Sequence, residues 1–398
     1  MAAEKRPRQS VKTRVARPAT PPRPWRVWLS TQSLGIGGTA RNLSVRVGEI
    51  PPEVEVTVVA AQSATGIHVQ ATQGRARVLH CPTGEALLAA MGDDPPDAFV
   101  FDVVPEYLAV LPDVRKRVKH LASMVHSLSR WSQAFLRPAA VDLCDKVVVI
   151  AEHQLAEAVA FGVPADKLLL LPNLTDLSAF RRMDKAEARD MLGLPQAAFV
   201  VGYAGRACGG KRTADLPRML GRLRETGVNA HLALIGLTEA NIGTHTKWWN
   251  MNTRAVLASI HLTRTGAHAT VLSARADLAP FYSALDAFVL LSVSEGSPSV
   301  CWEALACGVP VVVTQVGDVR AFCIPQTGSV LLAGDPADPS ELAVTRAVQA
   351  LCAISERSAE ENAGYSAFAA THVRRLRDPD AWRRAHGPAL RQMIGLAP

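Results

Sequence analysis

Apolar runs of strand length alternate with amphipathic helical patterns along the first half of the chain. The helical patterns cover 84–91, 129–137 and 153–161. This alternation is typical of a parallel sheet with helices on both faces. We therefore predict an α/β domain over residues 25–175. Its strands are expected at 25–30, 54–60, 78–81, 98–104, 122–125, 147–150 and 168–171.

The same alternation recurs in the second half and predicts another α/β domain over residues 176–375. Turn-forming Pro172, Asn173 and Asp176 mark a linker between the two halves. The stretch 238–265 follows neither pattern. In the second domain, strands are expected at 198–203, 230–235, 269–272, 287–291 and 309–313, and helices at 277–285, 338–352 and 356–373.

One strand–loop–helix–strand unit of the second half carries two carboxylates. The apolar run 287–291 enters a polar loop containing Glu295, and Glu303 follows in the first turns of a helix that ends near Gly308. At the carboxyl end of such a strand, the N–H groups of 297–300 and the helix dipole favour an anion. Because carboxylates accept strongly from hydroxyl groups, the pattern suits a nucleotide-sugar, in which a diphosphate joins a sugar to a ribose.

The same stretch resembles the donor-binding motif of retaining GT-B glycosyltransferases of group 1. It reads S-x-S-E-G-S-P-x-x-x-x-E-A-x-A-x-G-x-P-V-V, with E-x7-E spacing. The resemblance spans roughly residues 30–370. It implies two doubly wound, Rossmann-like domains that face each other across a cleft, with 376–398 returning to the first domain. It also implies that Glu303 binds the ribose, that Glu295 orients the sugar, and that the loop of Gly296, Ser297, Ser299 and Val300 contacts the diphosphate.

A second candidate site lies between the strand 198–203 and the next helix. Arg206 and Lys211 flank the adjacent glycines Gly209 and Gly210. Glycines admit a diphosphate closely and the cations neutralise it. The family that the chain resembles has an arginine and a lysine here, which grip the donor diphosphate.

The same loop also allows a different interpretation. Gly205-x4-Gly210-Lys211 approaches a P-loop, and an acidic strand end, Asp102, stands far upstream as in a Walker B motif. A P-loop needs Ser or Thr after the lysine to hold Mg²⁺, and Arg212 occupies that place. The sequence therefore keeps a Mg²⁺-dependent nucleotide phosphotransferase as an alternative.

Two features of the first half are expected to face the same cleft. Gly37 and Gly38 form a glycine turn between a strand and a helix, where backbone can approach a ligand. This turn resembles the family's G-G-x-E-R loop, although Ala40 replaces the glutamate. His126 follows the strand 122–125, and the resemblance implies a place beside the donor sugar.

Further departures from the family pattern favour a second alternative, a GT-B protein that binds a nucleotide or glycan without catalysis. Leu174 stands where glycine is common in the linker. Asp318 and Arg320 occupy the region where the family shows G-G-x-x-E.

Charge and cysteine content limit the partners. The chain carries a net charge of +7, but residues 1–24 hold seven basic residues and one acid, so the rest is close to neutral. We therefore expect no nucleic-acid binding by the folded part. The tail is expected to be disordered; it is either a solvated leader or a peripheral contact for an anionic membrane surface. The seven scattered cysteines favour a reducing cytoplasm.

Together these observations predict a retaining hexosyltransferase that uses a UDP- or GDP-type sugar. His126, Glu295, Arg206 and Lys211 are the predicted catalytic residues. The acceptor is a glycan, a lipid or a small molecule. We expect no cofactor and no metal, since cations and a helix end occupy the place that a metal fills in other transferases.

Overall fold

The computed structural model describes residues 23–398 apart from 36, 65, 67, 103, 128–134, 176, 238–246 and 263–265. Several predictions fall at least partly outside this range: the tail before residue 23, the helix expected at 129–137, Asp176 of the linker and the ends of the stretch 238–265. Arg23, the last basic residue of that tail, is described and pairs with Asp97 at 2.8 Å.

The first domain is built on a parallel sheet of seven strands in the order β3-β2-β1-β4-β5-β6-β7. Apolar residues fill a core on each face of this sheet. Its strands are β1 Arg26–Ser33, β2 Glu55–Ser63, β3 Arg77–His80, β4 Ala98–Asp102, β5 His120–Val125, β6 Lys146–Val149 and β7 Leu168–Leu170.

A second parallel sheet, of six strands in the order β10-β9-β8-β11-β12-β13, forms the other domain around a core of its own. In each sheet the chain adds strands on one side of the first strand, β1 or β8, and then continues on the other side, as in doubly wound folds. The strands are β8 Phe199–Ala204, β9 Ala230–Ile235, β10 Ala269–Leu272, β11 Ala287–Leu290, β12 Val311–Val313 and β13 Val330–Leu331.

Helices connect the strands within each domain. The first domain has α1 Gly38–Glu49, α2 Val69–Gln73, α3 Gly84–Met91, α4 Leu111–Arg117, α5 Pro138–Val141 and α6 His153–Ala160. After the linker come α7 Lys185–Leu192, α8 Leu216–Glu225, α9 Lys247–Leu262, α10 Ala279–Ser283, α11 Ser299–Ala306, α12 Ser340–Ser355, α13 Ala359–Leu376 and α14 Pro379–Met393.

The last helix, α14, packs against the first domain. Leu390 and Met393 join its apolar core, and Trp382 donates to the carbonyl of Pro172 at 2.9 Å. The Asp378 side chain caps the amino end of the helix by accepting from the amide of Ala381. The chain therefore passes between the domains twice, once near Pro172 and once near Asp378.

Several predicted bounds differ from the structure. The strand expected at 98–104 ends at Asp102. The helix expected at 277–285 is the shorter α10, Ala279–Ser283, which has Pro280 in its first turn. Of the helix expected at 129–137, residues 129–134 lie outside the described part, and the next helix, α5, begins only at Pro138.

Candidate active site

The carboxyl ends of the two sheets meet at one cleft. Gly37, after β1, lies beside Arg206, after β8: a Cβ placed on Gly37 would be 3.9 Å from the Arg206 Nε. Gly296, after β11, packs on the carbonyl oxygen of His126, after β5, and an added Cβ would be 1.9 Å from it. The loops predicted to bind the ligand therefore come together from both domains.

The loop after β8 is held in a fixed shape. Gly205 has φ +144, a conformation that favours glycine, and Tyr203 donates from its hydroxyl to the Arg206 carbonyl at 3.0 Å. The Gly210 carbonyl accepts from the amide of Val293 at 2.7 Å, which links this loop to the one after β11.

Lys211 and Glu295 form an ion pair at the junction of these two loops. The Lys211 Nζ lies 2.7 Å from the Glu295 Oε1, and the Ser292 hydroxyl donates to the same oxygen at 2.7 Å. Both side chains are largely buried, with 25% and 15% of their surface exposed. The structure thus joins one residue predicted to bind diphosphate with one predicted to orient the sugar.

Arg206 supplies a second cation close to this pair. Burial lowers the pKa of the guanidinium, whereas the negative charge of Glu295 is among the influences that raise it. An arginine that loses hydration in this way gains more from an incoming anion than a solvated one would.

Glu303 is almost completely buried, with 1% of its surface exposed. Its Oε2 accepts from the Tyr282 hydroxyl at 2.8 Å, and its Oε1 accepts from the Arg41 guanidinium at 3.2 Å. Burial raises the pKa of Glu303, and Arg41 and Tyr282 act in the opposite direction.

Glu303 lines a cleft between the domains. Ser299, also in its wall, accepts from the Asn42 amide across the cleft at 3.3 Å. Five predicted residues line it: Gly37, Gly38, Ser299, Val300 and Glu303. The other lining residues are Arg41, His68, Ala204, Gly205, Ile235, Gly236, Ala274, Arg275 and Leu278.

His126 stands at the end of β5, as the sequence predicts, and contacts a carboxylate that the sequence did not assign to the site. Its Nε2 lies 2.9 Å from the Oδ1 of Asp102, which ends the neighbouring strand β4. Gln154 donates to the His126 carbonyl at 3.3 Å. This carbonyl is the one that Gly296 approaches, so the backbone of His126 helps to set the domain contact.

The Ser297 side chain contacts Asp318 and Arg377, which form an ion pair with each other. Its hydroxyl donates to Asp318 at 2.7 Å and lies 3.3 Å from the Arg377 guanidinium. Arg377 also pairs with Asp318 at 2.9 Å and donates to the Asn173 carbonyl at 3.2 Å. Asp318, a departure from the family pattern, therefore has a structural partner.

The geometry does not support the P-loop interpretation. Arg212, at the position where a P-loop has Ser or Thr, directs its guanidinium to the carbonyl of Asp338. Asp102, the Walker-B-like residue, belongs to the other sheet and contacts His126.

Sequence reasoning missed three polar residues of the site: Arg41, Asp102 and Tyr282. In the sequence, Arg41 belongs to the glycine turn, and Asp102 stands out only as a Walker-B-like strand end. Because β4 and β5 are neighbours, their carboxyl ends meet, so predicting the strand order would have placed Asp102 beside His126. No local pattern identifies Tyr282 as a site residue, because its partner Glu303 follows only after the next strand and loop.

The second domain is similar to a described protein family. Residues 198–352 match the model of the glycosyl transferases group 1. The chain is 31% identical to the D-inositol 3-phosphate glycosyltransferase of Stackebrandtia nassauensis over 175 residues, which cover 42% of this chain and 38% of that protein. It is 28% identical to the D-inositol 3-phosphate glycosyltransferase 2 of Catenulispora acidiphila over 205 residues, covering 50% and 47%. The chain thus spans less than half the length of these curated relatives.

Solved structures confirm the predicted GT-B fold. The sucrose-phosphate synthase of Thermosynechococcus elongatus has a TM-score of 0.72 and 18% identity, with 93% of this chain and 99% of that chain covered. HepE of Anabaena, solved in complex with UDP-glucose, has a TM-score of 0.71 and 17% identity, with 92% and 99% covered. Among the described residues, no helix has the length and apolar character needed to cross a membrane.

Proposed function

We propose that this chain, which has a GT-B fold and carries a group 1 glycosyltransferase domain in residues 198–352, transfers a hexose from a nucleotide-diphosphate sugar to an acceptor hydroxyl with retention of configuration. One observation carries the proposal: Glu303 lines the interdomain cleft together with Gly37, and Gly37 lies beside Arg206. Arg206 in turn feels the charge of Glu295, which is paired with Lys211. Such a group suits a ligand that is anionic in its middle and rich in hydroxyl groups on both sides.

In the proposed complex, the diphosphate lies between Arg206, Lys211 and the amino end of α11. The ribose hydroxyls donate to Glu303, whose carboxylate has two oxygens and about four acceptor positions, two of which are used by Arg41 and Tyr282. The base occupies the apolar part of the cleft beside Ile235 and Leu278.

The proposed reaction breaks the bond between the anomeric carbon and the phosphate oxygen, and the nucleoside diphosphate leaves with the electron pair. The acceptor oxygen forms its bond on the same face, and its proton passes to the departing phosphate oxygen. Arg206, Lys211 and the helix dipole stabilise the growing negative charge without a metal. Glu295 and His126 orient the sugar.

Hydrolysis competes with transfer, so the cleft must exclude water during the reaction. The contacts of Gly296 with His126 and of Asn42 with Ser299 join the two domains at two points. They support a mechanism in which domain closure completes the site.

A panel of nucleotide-sugars tests this function. UDP-sugars come first, because the structurally similar HepE was solved with UDP-glucose. Ligand binding should raise the melting temperature by linkage, and the donor identified in this way should be consumed when acceptors are added. NMR of the product should show the anomeric configuration of the donor. Arg383→Ala, which removes an ion pair with Glu49, should bind and consume the donor as wild type does. Donor binding without turnover across a broad acceptor panel would favour a binding protein, and Mg²⁺-dependent ATP turnover would favour the phosphotransferase.

A further inference from the structure

Arg41 reaches from the first domain into the second at the candidate ribose site. It is in the first turn of α1, and its guanidinium contacts three groups of the second domain. It donates to the Glu303 Oε1 at 3.2 Å and to the Ala276 carbonyl at 3.2 Å, and it lies 4.8 Å from the centroid of the Phe180 ring. These contacts fix the direction of the cation toward Glu303.

Glu303 needs such a partner once the cleft is closed. The side chain is 2% exposed, and a carboxylate without water or a cation is strongly disfavoured in that environment. Tyr282 donates one hydrogen bond, but it is neutral and cannot balance the charge. Among the described residues, Arg41 is the cation seen in contact with this carboxylate.

We propose that Arg41 is a positioning residue that keeps Glu303 ionised and oriented for the donor ribose when the domains close. The inference rests on the proposed function. An ionised Glu303 accepts from ribose hydroxyls at both oxygens, whereas a protonated Glu303 loses part of that capacity and donates instead. Because Arg41 comes from the opposite domain, closure and the charge of the ribose site are coupled.

The charged and titratable groups around Glu303 define the expected pH dependence. Arg41 and His68 belong to the first domain, and Tyr282 and Arg275 to the second; Cys307 directly follows α11, the helix that carries Glu303. Burial, with a smaller effect of Arg41, lowers the pKa of His68 to about 4, so this histidine is neutral near pH 7. Burial raises the pKa of Tyr282 and of Cys307, and both therefore also stay neutral.

The test measures donor dissociation constants by calorimetry between about pH 8 and about pH 6 for wild type and Arg41→Gln. Wild type should change little. In the variant, Glu303 takes up a proton as the pH falls, and donor affinity should drop by ~10-fold per pH unit below the new pKa. Arg41→Lys should restore most of the flat profile. Arg383→Ala, which removes an arginine–glutamate pair at the other end of α1, should match wild type.

Two double variants identify the group that titrates. In Glu303→Gln, which cannot ionise, adding Arg41→Gln should produce no pH dependence. Arg41→Gln/His68→Asn should keep the dependence, because His68 is not its source. A flat profile for Arg41→Gln, or an unchanged slope in the Glu303→Gln background, would overturn the inference. If wild type bound no nucleotide-sugar at any pH, the proposed function itself would fail, so the two failures are distinguishable.

Discussion

The Lys211 ammonium group lies 2.7 Å from the Glu295 carboxylate, so a residue predicted to bind the diphosphate and one predicted to orient the sugar form an ion pair with each other. A charge-assisted hydrogen bond of this kind is stronger than a neutral one. A donor must therefore share Lys211 with Glu295, and the pair holds both side chains at the junction of two loops.

Lys211→Ala should weaken donor binding by more than the loss of one phosphate contact, because it leaves Glu295 without its cation beside the diphosphate. The phosphate contact alone is a hydrogen bond to a charged group and contributes about 1.5–3 kcal/mol. Its loss corresponds to roughly a tenfold to hundredfold rise in Kd. Calorimetry with the donor measures the change. The double variant Lys211→Ala/Glu295→Gln should recover part of the affinity, and equal affinities for wild type and Lys211→Ala would remove Lys211 from the site.

Glu303→Gln should reduce discrimination between a nucleoside diphosphate and its 2′- or 3′-deoxy analogues. Wild type is expected to prefer the ribose form by about 1.5–3 kcal/mol, since each hydroxyl donates to a charged, buried carboxylate. Competition against the donor measures the preference of each protein. The same preference in wild type and variant would place the ribose elsewhere.

Gly296→Ala should impair turnover more than folding. The new Cβ would lie 1.9 Å from the His126 carbonyl oxygen, so the domains could not approach as closely as they do here. We expect kcat to fall about 10²-fold, the effect of a misplacement near 1 Å, with little change in melting temperature. Small-angle scattering with donor should show a larger radius of gyration than in wild type. Gly221→Ala on α8, where a Cβ meets nothing within 4 Å, is the matched control.

Arg377→Met should destabilise the protein at the second passage between the domains. Arg377 pairs with Asp318, stacks 3.9 Å from the centroid of the Trp302 ring and donates to the Asn173 carbonyl. Removing one partner of a buried pair costs about 3 kcal/mol, which chemical denaturation measures.

This loss should depend on pH in a defined direction. Burial raises the pKa of Asp318, and Arg377 opposes that rise. A carboxyl whose folded pKa exceeds its unfolded value loses stability as pH increases between the two values. The deficit of Arg377→Met should therefore be larger near neutral pH than in mild acid, and Arg377→Met/Asp318→Asn should remove the difference. A deficit independent of pH would assign the effect to packing on Trp302.

Much of the fold follows from local pattern. The motif around Glu295 predicts a strand, a loop and a helix, and the structure has β11, α11 and β12 in that order with the two strands paired. Buried strands of a parallel sheet are nearly continuous apolar runs, so short apolar runs in the sequence identify them. In contrast, α7 is not among the predicted helices, although its sequence carries a signal at each end. Asp184 caps its amino end, and Gly193 adopts the left-handed conformation at its carboxyl end.

Site contacts between distant segments were harder to predict. Arg41 and Glu303 are 262 positions apart, and their pairing depends on how two separately folded domains face each other. Asp318 and Arg377 are likewise 59 positions apart, in different elements of the second domain. Residue pattern indicates which loops carry chemistry, but it does not indicate which side chains of opposite domains will meet.

A crystal structure with the nucleotide-sugar selected by the thermal-shift panel is the most direct test of the proposed site. We predict the diphosphate within hydrogen-bonding distance of the Lys211 Nζ and the Arg206 guanidinium, with the ribose hydroxyls on the Glu303 carboxylate. A nucleotide bound outside this cleft, or one that leaves Lys211, Arg206 and Glu303 without contact, would contradict it.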